Sequence, residues 1–402
     1  MRPLPRWKVL VLAIVGTALT GPGQTIGVSV FVDSIILDLD LSRSQVSGAY
    51  LVGTLIGAVA LPTVGRLIDR YGVGRSMVWI GVAFGFGIGI VSQSWSLVTL
   101  AVGFTLIRMF GQGSLTLVNV VAVTKAIAER RGAALGVLST VGGAMLGLVP
   151  LALNRLVEWT DWRTAWLISG AVVLVTVPSI GRWGFGYGTN RGASGVDSRD
   201  HGTASADVNR SGAIRTYRFW VLGAASAAAG MFVTALNFQQ ISLLGEAGLT
   251  PAAAAAMFIP QVLGTAAAGY LFGWLSDRWS SRVLLVIIMG MLAGALALTV
   301  VLKPGPLIVV YSVLLGMTGG SVRAVGAAVP PRWFGIGFIG AIQGFLTFLA
   351  VFGSAAGPLY LSLGRDITGE YSTIALYSTI VPALIALAAL RITDDRPVAV
   401  VS

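Results

Sequence analysis

Polar residues thin out along this chain in twelve long stretches, near 9–32, 47–66, 76–94, 96–123, 133–153, 164–181, 219–244, 253–275, 283–302, 306–329, 336–363 and 372–391. Each approaches the ~20 mostly apolar residues that one helical crossing of a bilayer core about 30 Å thick requires. The pattern predicts an all-α integral membrane protein with twelve transmembrane helices, spans one to twelve in chain order. Span one follows the basic stretch Met1 to Lys8. It is longer than the apolar core of a secretory signal and lacks a small-x-small cleavage site, so it is expected to be retained.

Between spans six and seven, segment 182–216 is rich in Gly, Ser, Asp and Arg and has no apolar periodicity, which predicts a flexible linker. It separates an N-terminal six-helix half over 1–181 from a C-terminal six-helix half over 217–391, which is followed by a short tail, 392–402. The two halves echo each other at an offset of 208 residues. Leu41, Leu55, Ala60, Gly65, Leu67, Asp69 and Arg70 match Leu249, Leu263, Ala268, Gly273, Leu275, Asp277 and Arg278. The same G-x-L-x-D-R after the second and the eighth span predicts two pseudo-symmetric halves related by an axis along the membrane normal. That arrangement suits alternating access around a site near the midplane.

Of the 402 residues 55% are apolar and only 11% charged, with a mean hydropathy of +0.84, whereas a soluble domain carries roughly 25% charged residues. The absence of cysteine excludes a disulfide scaffold and a Cys nucleophile. The single histidine, His201, falls in the linker and leaves no His-rich metal site or Ser-His-Asp triad for the spans. No GxxxxGK[ST] loop is present, and the glycines of Gly81 to Gly89 lie inside span three, where they serve packing. No enzyme chemistry and no cofactor are therefore expected, and the energy for transport must come from a gradient or from exchange.

The net charge of +11 is scattered between apolar runs, which speaks against a nucleic-acid partner. Twenty of the 27 Lys and Arg fall on the face that carries both termini and five on the other. This bias predicts cytoplasmic termini in a plasma or inner membrane, with lipid as the surroundings. A monomer is expected.

The stretch Gly65-Arg66-Leu67-Ile68-Asp69-Arg70-Tyr71-Gly72-Val73-Gly74-Arg75 resembles the signature loop of the major facilitator superfamily. Gly273-Trp274-Leu275-Ser276-Asp277-Arg278 with Arg282 is a weaker second copy. Arg108 followed by Gly111-Gln112-Gly113 is similar to that family's span-four Arg-x-x-Gln-Gly, with one extra residue between Arg and Gln. Gly21-Pro22-Gly23-Gln24-Thr25, Val28-Ser29-Val30-Phe31 and Leu41-Ser42-Arg43-Ser44 look most like its monocarboxylate and oxalate/formate branch. Animal members of that branch have an Asp and an Arg in span eight. Here Met257 to Trp274 has neither, so substrate and coupling ion are not carried over. The resemblance implies a gating role for Gly65, Asp69, Arg70 and Arg75, and for Gly273, Asp277, Arg278 and Arg282 in the second copy. Contacts of the two aspartates with the other half would latch the outward-open state; a solvated basic turn that only fixes topology is the alternative.

All sixteen Asp and Glu lie in loops, tails or span ends, so Arg108 and Arg323 are the charges of the membrane interior. A central arginine costs ~2.5–3.5 kcal/mol on insertion scales and commonly marks a pathway. Two without an acid favour a small anionic ligand that accepts bidentate hydrogen bonds from guanidinium. Alternatively, Arg108 bonds backbone carbonyls or a hydroxyl, and Arg323 reaches for the headgroups. Gln112 and Asn119, at i+4 and i+11 from Arg108, share its face on a regular helix. Thr17, Thr20 and Gln24 form a stripe beside the Gly21-Pro22-Gly23 break, and Thr234, Asn237 and Gln240 form another in span seven; Gln261 and Gln343 stand alone.

Together these features predict a secondary carrier of a small organic anion, a monocarboxylate for example. A proton carried with it or an exchanged anion is a possible companion. An exporter of amphipathic compounds is the rival, because eleven Trp and sixteen Phe could line an apolar cavity.

Overall fold

The computed structural model describes residues 5–127, 131–185, 210–335 and 338–392. Eleven helices among the described residues are long and apolar enough to cross a membrane. They are Arg43–Tyr71, Val73–Ser92, Leu97–Ala126, Ala134–Trp159, Trp162–Phe185, Tyr217–Phe238, Pro251–Ser276, Ser281–Val301, Pro306–Phe334, Ile342–Thr368 and Tyr371–Leu390, in the places predicted for spans two to twelve. Span one is broken into Arg6–Ala18, a tight turn Gly21–Gly23, and the short helices Thr25–Val28 and Val32–Leu39. Pro22 has no amide to give to the helical ladder, and the backbone turns extended at Gln24, with φ −84° and ψ 155°.

Span six continues to Phe185 and a further helix covers Arg210–Ile214, so helix reaches into both ends of the segment expected to be a linker. His201 and the rest of that segment lie outside the described residues. Span ten runs through Pro330 and Pro331 to Phe334, past its expected end.

The signature stretch is two helix ends rather than a loop. Span two runs to Tyr71, span three starts at Val73, and Gly72 alone makes the turn with φ 83° and ψ 162°. Such a backbone is essentially closed to residues with a Cβ. On the far side, Asp161 caps span six by accepting the Arg163 and Thr164 amides and the Thr164 hydroxyl. These bonds hold its carboxyl below the usual range.

The described residues cluster as two compact units. One holds the described part of Met1–Ser194 with Asn237–Gly245 and Leu249–Ile259; the other holds the described parts of Gly195–Leu236 and Pro260–Ser402 with Glu246–Gly248. Inside the first unit, span one packs on span five, two on four, and three on six. Inside the second, seven packs on eleven through Gly353 and Gly357, eight on ten through Gly316 and Gly320, and nine on twelve. The pairing is the same with every span number raised by six, which is the structural counterpart of the sequence repeat. Lipid offers no hydrophobic drive for helix association, so small residues that let backbones meet carry these seams.

Candidate functional site

Glycines decide where span two meets span four. A Cβ at Gly53 would stand 2.8 Å from the Thr105 nitrogen, and one at Gly57 would stand 3.2 Å from the Met109 Cα. The close approach brings Tyr50 and Thr54, one turn apart on span two, against Arg108. Arg108 Nε donates to Thr54 Oγ1 at 3.0 Å and Nη1 donates to the Gly23 carbonyl at 3.1 Å. The Thr54 hydroxyl gives its own proton to the Tyr50 carbonyl at 2.8 Å, which turns its lone pairs toward the guanidinium. The Gly23 carbonyl is available because the helix breaks at Gln24.

The Arg108 guanidinium also lies 4.5 Å over the Tyr50 ring, whose hydroxyl is 2.6 Å from Thr25 Oγ1. Arg108 is 3% exposed. All its partners are neutral. Of its five N–H donors these two bonds engage two, and the Tyr50 side chain is a further hydrogen-bonding neighbour of the guanidinium.

The helix around Arg108 is itself irregular. Ile107–Leu115 forms a wide π-turn, and Ser114 Oγ reaches back five residues to the Met109 carbonyl. Such turns take up an inserted residue without breaking the helix and recur at functional sites. Here the turn covers the place where one residue more than the familiar spacing separates Arg108 from Gln112. Asn119 is fully buried against span one, where a Cβ at Gly16 would stand 2.6 Å from its Oδ1. Neither of its amide atoms has a hydrogen-bond partner, nor does Gln112 Oε1.

The other expected site residues are dispersed. Gln24 Nε2 donates to Thr20 Oγ1 at 3.0 Å, so it is tied to its own span. Asn237 is half-buried beside a break in span seven at Gln239. Gln240 is buried and donates to the Ala254 carbonyl at 3.4 Å. Thr234 pairs with Ser354 at 2.7 Å, and Gln343 donates to the Gly326 carbonyl at 2.9 Å.

Arg323 belongs to the second unit. It follows Gly316 and Gly319 by seven and four residues, on their face of span ten. That face abuts the Gln261 backbone of span eight and Val233 of span seven. The Arg323 side chain is exposed and no partner is found for it among the described residues.

On the face that carries the termini, Asp69 pairs with Lys125 at 3.1 Å. Both residues are in the first unit. Gly65 has only Leu117 Cδ2 near its Cβ position, at 3.9 Å, and Gly273 has open space. The Arg70 guanidinium lies 5.4 Å over Tyr71, and that of Arg278 lies 4.0 Å over Trp274. Arg75, Arg282 and Asp277 are exposed.

Tyr50 and Thr54 were missed by sequence reasoning. Their signal was a hydroxyl pair at i, i+4 in an apolar span, next to glycines with the same spacing.

A family model described as "Major Facilitator Superfamily" matches residues 10–238. The chain belongs to the major facilitator superfamily. It is similar to monocarboxylate transporter 11 of Homo sapiens, 25% identical over 84% of this chain and 73% of that protein. It is also similar to a multidrug resistance protein B homolog of Mycobacterium tuberculosis, 27% identical over 47% of this chain and 34% of that protein. Among solved structures, a bacterial homolog of the human lysosomal transporter Spinster has a TM-score of 0.72 at 17% identity, covering 97% of this chain and 98% of its own. The nucleoside transporter NupG has a TM-score of 0.76 at 12% identity, covering 96% and 98%.

The superfamily member is thus an integral, multi-pass membrane transporter and not an enzyme, with a small molecule as its substrate. The twelve-helix carrier fold agrees with the sequence expectation.

Proposed function

We propose that this transporter carries small organic anions, monocarboxylates in particular, by alternating access of its two six-helix halves. The observation that carries the reading is Arg108, a buried cation whose partners among the described residues, Thr54, the Gly23 carbonyl and Tyr50, are all neutral, with more donors than these contacts use. A carboxylate would supply the missing charge and take two of those donors at once. Arg323, exposed on the helix-facing side of span ten, is the second anchor, one from each half. The name of the 25% identical human relative supports the same substrate class.

Gln112 and Asn119, with unpartnered buried amide atoms, and Gln24, Asn237 and Gln240 are assigned to the lining of the path. Gly65, Asp69, Arg70, Arg75, Gly273, Asp277, Arg278 and Arg282 are assigned to gating at the face with the termini, taken as cytoplasmic. The Asp69–Lys125 pair anchors the first of these two sets to span four.

The test is a thermal-shift screen of purified protein with lactate, formate, oxalate and a panel of amphipathic cations. A ligand present at 100 times its Kd stabilises the folded form by ~2.7 kcal/mol. Stabilisation by monocarboxylates alone supports the proposal. Stabilisation by amphipathic cations alone overturns it in favour of drug export, the activity named for the mycobacterial relative.

A further inference from the structure

The first compact unit takes in more than the first six spans. Asn237–Gly245, the end of span seven on the face away from the termini, belongs to it, while Tyr217–Leu236, the body of the same span, belongs to the second unit. The helix is interrupted between them at Gln239.

A set of polar contacts seats this end piece. Asp33, at the far end of span one, accepts from Arg43 Nη2 at 2.6 Å. The Ser242 hydroxyl lies 2.7 and 2.8 Å from the two Asp33 carboxylate oxygens. Arg43 Nη1 reaches Ser242 Oγ at 2.9 Å and Gln239 Oε1 at 3.2 Å. Gln239, fully buried, has its Nε2 3.5 Å from Ser47 Oγ. One carboxylate and one guanidinium from spans one and two thus clasp two side chains of span seven.

Directly beneath, Phe238 packs on Tyr50 with ring centroids 4.6 Å apart. The same Tyr50 ring lies under the Arg108 guanidinium at 4.5 Å and is tied to Thr25 through its hydroxyl. Tyr50 therefore stands between the buried cation and the end of span seven.

We propose that Asp33, Arg43 and Ser242 form a latch on the face away from the termini, and that Tyr50 is the positioning residue that couples anion occupancy at Arg108 to the seating of Asn237–Gly245. The coupling half rests on the anion-carrier reading; the latch half does not. An aromatic face is attracted to an uncompensated cation. An anion on Arg108 reduces that attraction, frees the Tyr50 ring and so weakens its packing on Phe238. By linkage, unseating the segment must change anion affinity by the same factor.

The chain has no cysteine, so Ser47→Cys places a single thiol beneath Gln239. Labelling by a membrane-impermeant maleimide, in vesicles of both orientations, reads whether the segment is seated. Asp33→Asn and Arg43→Gln in this background are each expected to raise the labelling rate at least threefold from the face away from the termini. The charge-swapped pair Asp33→Arg with Arg43→Asp should bring it back toward the parent rate. Unchanged labelling in both single variants overturns the latch, as does a swap no better than the singles when melting temperature shows all variants folded.

For the coupling, lactate should raise labelling at least twofold in the parent and leave it unchanged in Phe238→Leu, which removes the ring that Tyr50 packs on, while lactate still shifts the melting temperature of both. An equal labelling response in the two proteins overturns the role of Tyr50. If lactate, formate and oxalate shift the melting temperature of neither, the anion reading fails and the coupling falls with it. The latch is then decided by the Asp33 and Arg43 variants alone.

Discussion

Replacing Arg108 tests the central reading most directly, because its geometry says how much each replacement should lose. The guanidinium has five donors, and Thr54 and the Gly23 carbonyl hold two of them. A carboxylate that takes two of the others makes two charge-assisted bonds, each contributing ~1.5–3 kcal/mol. Arg108→Lys keeps the charge but brings only three donors. With Thr54 and Gly23 still claiming two, one is left for the anion. The loss of one bond corresponds to a roughly 10- to 150-fold weaker Kd. Arg108→Gln removes the charge and both bonds, and the loss should exceed about 100-fold.

The folded state itself should change little. Arg108→Gln relieves the ~2.5–3.5 kcal/mol of holding a cation in the interior while it forfeits two bonds and the contact with Tyr50. The measurement is uptake of labelled lactate by proteoliposomes, with ligand-induced melting shifts as the binding readout. Uptake by Arg108→Gln within twofold of the parent, at the same KM, would refute the proposed role of this residue.

The remaining predictions concern the second anchor, the gate and the turn. Arg323→Gln, at an exposed side chain with no partner among the described residues, should leave the melting temperature within a degree or two and weaken uptake at least tenfold; unchanged KM and rate would remove it from the path. Asp69→Asn should cost little stability, since exposed pairs such as Asp69 with Lys125 contribute ~0.2–1 kcal/mol. It should nevertheless impair uptake and raise the labelling of a cysteine introduced on the face that carries the termini, and Lys125→Gln should reproduce the defect; normal uptake and labelling in both would leave the pair without a gating role. Gly72→Ala forces a Cβ into a backbone conformation that costs ~1–3 kcal/mol, so it should lower the melting temperature by several degrees, and a parental melting curve would count against the strained-turn account.

The sequence was most legible where a single physical rule dominates. Burial in lipid demands long apolar helices, so spans two to twelve could be read from the hydropathy pattern, and the Gly21-Pro22-Gly23 break in span one followed from what proline and glycine do to a helix. Arg108 stood out because a lone charge in an apolar run has few explanations. Of the two meanings offered for it, the bonds to a hydroxyl and a carbonyl are visible, and the anion is the proposal.

What escaped were features set by pairing in three dimensions. Thr54 and Tyr50 acquire a role only because Gly53 and Gly57 let span two touch span four. The wide turn at Ile107–Leu115 departs from the 3.6-residue period that puts Asn119 on the face of Arg108 in a regular helix. Asp69 meets Lys125, 56 residues on, at the end of a neighbouring helix. The clasp around Asp33 brings together residues about 200 positions apart in the chain, and no local pattern announces it.

Among the described residues no carboxylate pairs with Arg108, and on the anion-carrier proposal this bears on energetics across a whole cycle. A loaded carrier of a monovalent anion is locally neutral at that point, whereas an unloaded one must move with a bare positive charge in a medium of low polarisability. Reorientation without cargo is then the slower leg. A protein built this way swaps one passenger for another more readily than it returns empty.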